Sequence, residues 1–109
     1  MTVTTADVLR HAMELITPGG AWIQGEWHRN PIPSIGRPAG YCTSGAIYRA
    51  EIQIDPRNMD SHVCRDAFGA LHQAIGCENI PKWNDDPSRT QEDVLLAFKH
   101  AIEIAEDSQ

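Results

Sequence analysis

Between Thr17 and Gly40 the chain carries five of its eight glycines and four of its seven prolines. Proline lacks a backbone N–H and clashes with the preceding turn, and glycine loses the most backbone entropy on ordering. No long helix or central strand therefore runs through this stretch. Regular structure is divided into one segment before it and the remainder after it. Yet the same stretch holds Trp22, Trp27, Ile23, Ile32 and Ile35. Two tryptophans are more apolar surface than a solvated linker leaves in water. The expectation is an ordered loop held on the core by its aromatics, with a short extended piece at "AWIQGEW". Loops of this length are uncommon in compact domains and tend to carry function.

The flanking segments read as helices. Thr4 and Asp7 fit a capping box, and Val8, Leu9, Ala12, Leu15 and Ile16 follow on one face until Pro18, Gly19 and Gly20 stop the run. His11 lies at the edge of that face. "CTSGAIYRA" reads as a short helix capped by Thr43 or Ser44, with Ala46, Ile47 and Ala50 inward. "EIQIDP" alternates apolar and polar residues, which predicts an extended segment up to Pro56. A third helix is expected from about Ser61 to Ile75. Val63, Ala67, Ala70, Leu71 and Ala74 form its stripe, Cys64, Phe68 and Ile75 widen it, and Gly76 stands at C′. Thr90 and Asp93 form a second capping box for the last helix, with Glu92 at the positive end of its dipole. Val94, Leu95, Phe98, Ala101, Ile102 and Ala105 make a wide apolar face, and Leu96 falls among the polar residues opposite. The fold class is therefore mainly α: three main helices, one short helix and a long Gly/Pro-rich loop, in one domain over residues 1–109.

Net charge is −6, with nine basic residues scattered along the chain. That balance argues against binding to a nucleic-acid backbone, which needs clustered Lys and Arg. Seven carboxylates lie between Asp85 and Asp107 against Arg89 and Lys99. They read as a solvated helix face, or as an acidic surface that docks on a basic partner. Three cysteines, Cys42, Cys64 and Cys77, are an odd number without a CxxC pair. The polar start at Met1–Thr5 does not read as a secretory signal, and no apolar run reaches membrane-spanning length. The expectation is free thiols in a reducing cytoplasm, with no membrane partner.

Three constellations carry possible chemistry. A zinc site would need close ligand pairs, but His62 and Cys64 point about 200° apart on a helix, so no metal is expected. Cys42 stands at a helix start, where the dipole favours a thiolate. With His28 as base and Asn84 or Asp85 as orienter it would complete a thiol nucleophile set. A Cys42 packed beneath Ala46 is the simpler role. The stretch "KWNDDPSRT", Lys82 to Thr90, combines an indole, an amide, two carboxylates and an arginine. Asn84 and Asp85 suit Asx turns, Pro87 fixes φ, and Arg89 is within reach of Asp85 or Asp86. The same residues would also present a binding constellation, Trp22, Gln24, Trp83, Asn84, Asp85 and Arg89.

"WNDDPSRTQEDVLLAFKHAIEIA" resembles the C-terminal signature of an uncharacterised family of small actinobacterial, proteobacterial and phage-encoded proteins. There a W-N-D-x-P-x-R-T run leads into an amphipathic helix. A W-x-Q-G stretch and a C-x-x-G-A stretch lie upstream, matched here by Trp22, Gln24 and Gly25 and by Cys42, Gly45 and Ala46. This chain differs in its proline-rich insert "NPIPSIGRPAG". The resemblance implies a helical fold and a bacterial or phage origin, but no mechanism. The function expected is a non-enzymatic interaction protein binding another protein in a bacterial cytoplasm, one form being a phage-encoded modulator of a host factor. No cofactor is implied. The alternatives are a small thiol-dependent hydrolase or ligand-binding domain built on Cys42, and a homo-oligomer.

Overall fold

The first helix, α1 (Thr5–Leu15), begins at Thr4, whose hydroxyl accepts from the Asp7 amide while the Asp7 carboxylate accepts from the Thr4 amide. This computed structural model describes residues 3–55 and 62–107. Val8, Leu9, Ala12 and Ile16 are buried, as the helical spacing requires. The chain then enters the Gly/Pro-rich stretch, which is ordered by backbone pairing. Its strand β1 (His28–Arg29) runs antiparallel to β2 (Gly40–Tyr41), and Trp22 bridges Tyr41 from the other side in parallel. Tyr41 N donates to Ala21 O at 2.8 Å and Ile23 N to Tyr41 O at 3.1 Å. A 3-10 turn at Pro33–Ile35 is closed by pairing of Ile32 with Arg37. The extended piece expected at "AWIQGEW" is thus one bridge at Trp22, with the strand just after Trp27.

Helix α2 (Thr43–Ile54) corrects two expectations. Its cap is Cys42, whose sulfur accepts from Gly45 N at 3.3 Å. Thr43 does not cap because its hydroxyl is bonded to Asn84 instead. The helix is also not short: "EIQI" continues it. Ile47, Ala50 and Ile54 recur at three- and four-residue spacing and turn toward the core, whereas Ile52 is 59% exposed. The apparent alternation was one core residue beside one surface residue. Pro56 and Ser61 lie outside the described residues.

Helix α3 (His62–Ile75) buries Cys64, Ala67, Ala70 and Leu71 and ends at Gly76, whose φ of +65° is the left-handed cap. A five-residue helix, α4 (Ile80–Asn84), then appears where a turn was expected. The Asn79 side chain caps it by accepting from Lys82 N, and Pro81 suits its first turn. Only the later part of "KWNDDPSRT" is a turn. Its Asx bond belongs to Asp86, which accepts from Ser88 N at 2.9 Å, because Asn84 and Asp85 are engaged elsewhere. Helix α5 (Gln91–Asp107) starts from the expected capping box of Thr90 and Asp93.

Helix α1 packs against α2, α3 and α5, α3 also lies on α5, and α4 rests on α2. Phe98, Leu9, Ile16, Ile47 and Leu71 fill the space between them without exposure. The Gln91 amide, at the start of α5, donates to the carbonyls of Ile16 and Pro18 at 2.7 and 2.9 Å, satisfying acceptors left open where α1 ends. The protein is mainly α, and no helix among the described residues is long and apolar enough to cross a membrane.

The loop seats on α2 at Gly45. A Cβ added there would stand 2.2 Å from the Trp27 carbonyl oxygen, which accepts from Cys42 N at 3.2 Å. Gly45→Ala should therefore cost about 1–3 kcal/mol through overpacking. Gly69, inside α3, has open space around it, so Gly69→Ala should instead stabilise by about 0.5–1 kcal/mol. Urea unfolding of both variants checks the pair, and an unchanged midpoint for Gly45→Ala contradicts this seating of the loop.

Candidate functional site

Asn84, the last residue of α4, is wholly buried. Its side-chain oxygen accepts from Trp22 Nε1 at 2.6 Å, from Thr43 N at 2.9 Å and from Thr43 Oγ1 at 2.6 Å. An indole N–H and a backbone N–H can only donate, so these partners dictate which way the carboxamide points. Its nitrogen donates to Ile23 O at 3.1 Å and to Asp85 Oδ1 at 3.0 Å. Loop, α2 and α4 therefore meet at one amide.

The residues around it complete the junction. Gln24 Nε2 donates to Asn84 O and Asp86 O at 2.9 and 2.8 Å. Gly25, with φ +79°, directs its N–H to Asp85 Oδ1 at 2.9 Å. Arg89 Nε donates to Trp83 O at 3.0 Å while its guanidinium covers the Trp83 ring, 4.1 Å from the centroid. Gln24 thus satisfies the Asn84 carbonyl that the short α4 leaves open, while Trp83 O and Asp86 O also accept from Asp86 N and Arg89 N, respectively. Arg89 also pairs with Asp86 at 3.8 Å. The Ser88 backbone and hydroxyl bonds, together with Arg89, hold the Asp86 carboxyl below the usual carboxylate range.

Cys42, Asn84 and Asp85 line one cavity of about 90 Å³ together with Glu26 and Trp27. His28 is not with them. It is exposed in β1 and lines a different depression, and no described histidine reaches the Cys42 cavity. Burial pushes the Cys42 thiol up, and the Asp85 charge adds to this; the N–H bonds from Gly45 and Ser44 pull the other way without winning. The helix-start effect expected at Cys42 is therefore outweighed by desolvation. The cavity is also well below the roughly 300 Å³ of a small-molecule site. Cys64 is buried in α3 and pushed up to about 12 by burial and by a bond to Glu51. His62, two residues before it, is exposed.

A second feature was not singled out in the sequence. Trp27 also borders an open depression of about 450 Å³, with His28, Arg29, Tyr48, Arg49 and Ile52 among its lining. The Trp27 and Tyr48 rings stand 5.7 Å apart and Tyr48 and Phe68 5.0 Å apart. The signal was present: carrying the helix through Ile54 puts Tyr48 and Ile52, four residues apart, on one face away from Ile47 and Ala50. Reading "EIQIDP" as extended hid it.

These observations define a small, mainly helical protein whose loop and turn motifs are tied through one buried amide. The chain belongs to a family of unknown function (DUF6197), whose model matches residues 1–104. This fits the resemblance to an uncharacterised family. No curated protein and no solved structure matches the chain.

Two outcomes follow. Asn84→Ala leaves the Trp22 indole and both Thr43 donors unsatisfied, at about 1–3 kcal/mol each, so it should lower unfolding free energy by about 3 kcal/mol or more in urea titrations. Asn84→Asp keeps the acceptor but turns an oxygen toward Ile23 O and Asp85, so it should not rescue; full stability in either variant contradicts the junction. The raised Cys64 value has a defined sign. Its contribution is fully present below the unfolded thiol value of about 8.5 and is lost as pH rises toward the folded one. Unfolding free energy should fall on the alkaline side, and Cys64→Ala should flatten that fall; an identical slope in the variant rules out Cys64 as its source.

Proposed function

We propose that this chain is a non-enzymatic protein-binding domain working in a bacterial cytoplasm, and that a phage-encoded modulator of a host factor is one form of that role. The observation that carries this reading is the row of rings Trp27, Tyr48 and Phe68. Trp27 and Tyr48 are 54% and 49% exposed, and Ile52 beside them is 59% exposed. Apolar surface left in water costs about 25 cal/mol per Å², and clustered exposed aromatics are typical of binding faces. Free cysteines at positions 42, 64 and 77 support a reducing compartment. The thiol-hydrolase alternative has less support: Cys42 is held protonated in a small cavity, and His28 lies outside it.

The test is capture from a bacterial lysate by the immobilised protein, with a Trp27→Ala/Tyr48→Ala double variant in parallel. Exposed rings contribute little to folding, so the melting temperature should hold. Aromatic anchors at the centre of an interface are worth about 2 kcal/mol or more, so capture should drop at least tenfold. Equal capture by both proteins, or no specific partner, overturns the proposal.

A further inference from the structure

Resting on the reading of this face as protein-binding, we infer that the depression beside the aromatic row takes an acidic segment of the partner, a run of Asp and Glu flanking an apolar side chain. The whole chain carries −6, yet the ionisable groups placed around this depression are basic: His28, Arg29 and Arg49, with no carboxylate among the lining residues. Elsewhere two arginines meet carboxylates, while Arg37 bonds to Asn30 O and Arg65 to the His62 ring. Arg10 meets Glu106 and Asp7, and Arg89 meets Asp86. Arg29 and Arg49 have no such ion pair with a described carboxylate. A basic site on an otherwise acidic surface repels most of the protein's own kind and attracts negative charge, which makes it selective as well as attractive.

Arg29 is also held ready. Its Nη2 donates to Gly20 O at 2.6 Å and to Pro38 O at 3.3 Å, so the guanidinium is fixed by the loop while further N–H groups remain. A fixed fork loses less entropy when it binds a carboxylate. Arg49 lies exposed on α2, one residue after Tyr48. Charge and apolar contact therefore sit side by side, matching a ligand that alternates the two. The ring row reaches at most about 11 Å from Trp27 to Phe68, the length of about three extended residues, and crosses from the loop over α2 to α3. A peptide fits this run; a small anion would use only its basic end.

The probe is a peptide-display selection against the purified protein, followed by fluorescence anisotropy of the enriched peptides. Sequences carrying Asp or Glu beside Leu, Phe or Trp should be enriched. Their affinity should fall at least about tenfold for Arg49→Glu, a surface change on a helix, and should weaken with added salt. Arg29→Lys should weaken binding less, since it keeps the charge but not the fork. Enrichment of neutral or basic peptides, no enrichment, or an affinity indifferent to Arg49→Glu overturns the inference. So does a dimer in solution that Arg49→Glu dissociates, since the acidic occupant would then be a second copy of this chain. If lysate capture depends on Trp27 and Tyr48 while selected peptides are not acidic, the partner chemistry is wrong and the protein-binding role stands. If capture ignores those rings, the role itself fails.

Discussion

The carboxamide of Asn84 lies out of water at the end of a helix too short to be stable alone, and it is bonded to loop, α2 and α4 at once. Such a group is worth little if half satisfied and a great deal if complete, because an unpaired buried polar atom costs more than a single bond returns. Here both ends of the amide are filled. Trp22, Thr43 and Ile23 are therefore placed by the same side chain, and their neighbours Gln24, Gly25 and Cys42 follow. The Gly/Pro-rich stretch has no helix to fix it and only two short strands, so this junction supplies much of its order.

The same economy governs the helix ends. Gln91 covers carbonyls at the end of α1, and Gln24 and Arg89 cover those around α4. Gln91 and Gln24 reach partners 75 and 60 residues away, so capping there is also tertiary bonding. The cost falls on chemistry. A thiol at the start of α2 would be a candidate nucleophile on an open surface, but the loop that packs over it removes water and raises its pKa. What the loop exposes instead is Trp27, turned outward beside Tyr48 and Ile52. The same packing that closes the region around Cys42 opens an aromatic, basic face next to it.

The helices at both ends were legible because their signals are local. Capping boxes at Thr4 and Thr90, and 3.6-residue apolar faces after them, act within one or two turns. The second helix was legible only in part, since Ile52 and Ile54 imitate a strand until the core claims one of them and water the other. Helix α4 was missed because five residues carry no periodicity; it exists because Asn84 is held at its end. Among the candidate site residues, Trp22, Gln24, Asn84 and Asp85 are tied together, which their sequence separation does not reveal, while Arg89 partners the nearby Trp83. His28 stands apart, and the face that Tyr48 shares with Ile52 went unnoticed because Ile52 lies in a strand-like pattern.

By itself, then, the sequence determined where helices start and stop, which faces are apolar, and that the middle of the chain is a loop carrying aromatics. Those follow from local sterics, hydrogen bonding within a turn, and hydrophobic spacing. Only the tertiary structure decided which bonds the polar residues make and which aromatics stay in water. Bonds across sixty residues, such as Trp22 to Asn84, depend on how helices pack, and so does the exposure of Trp27. The exposed aromatic face is the part of this protein that no local rule specifies.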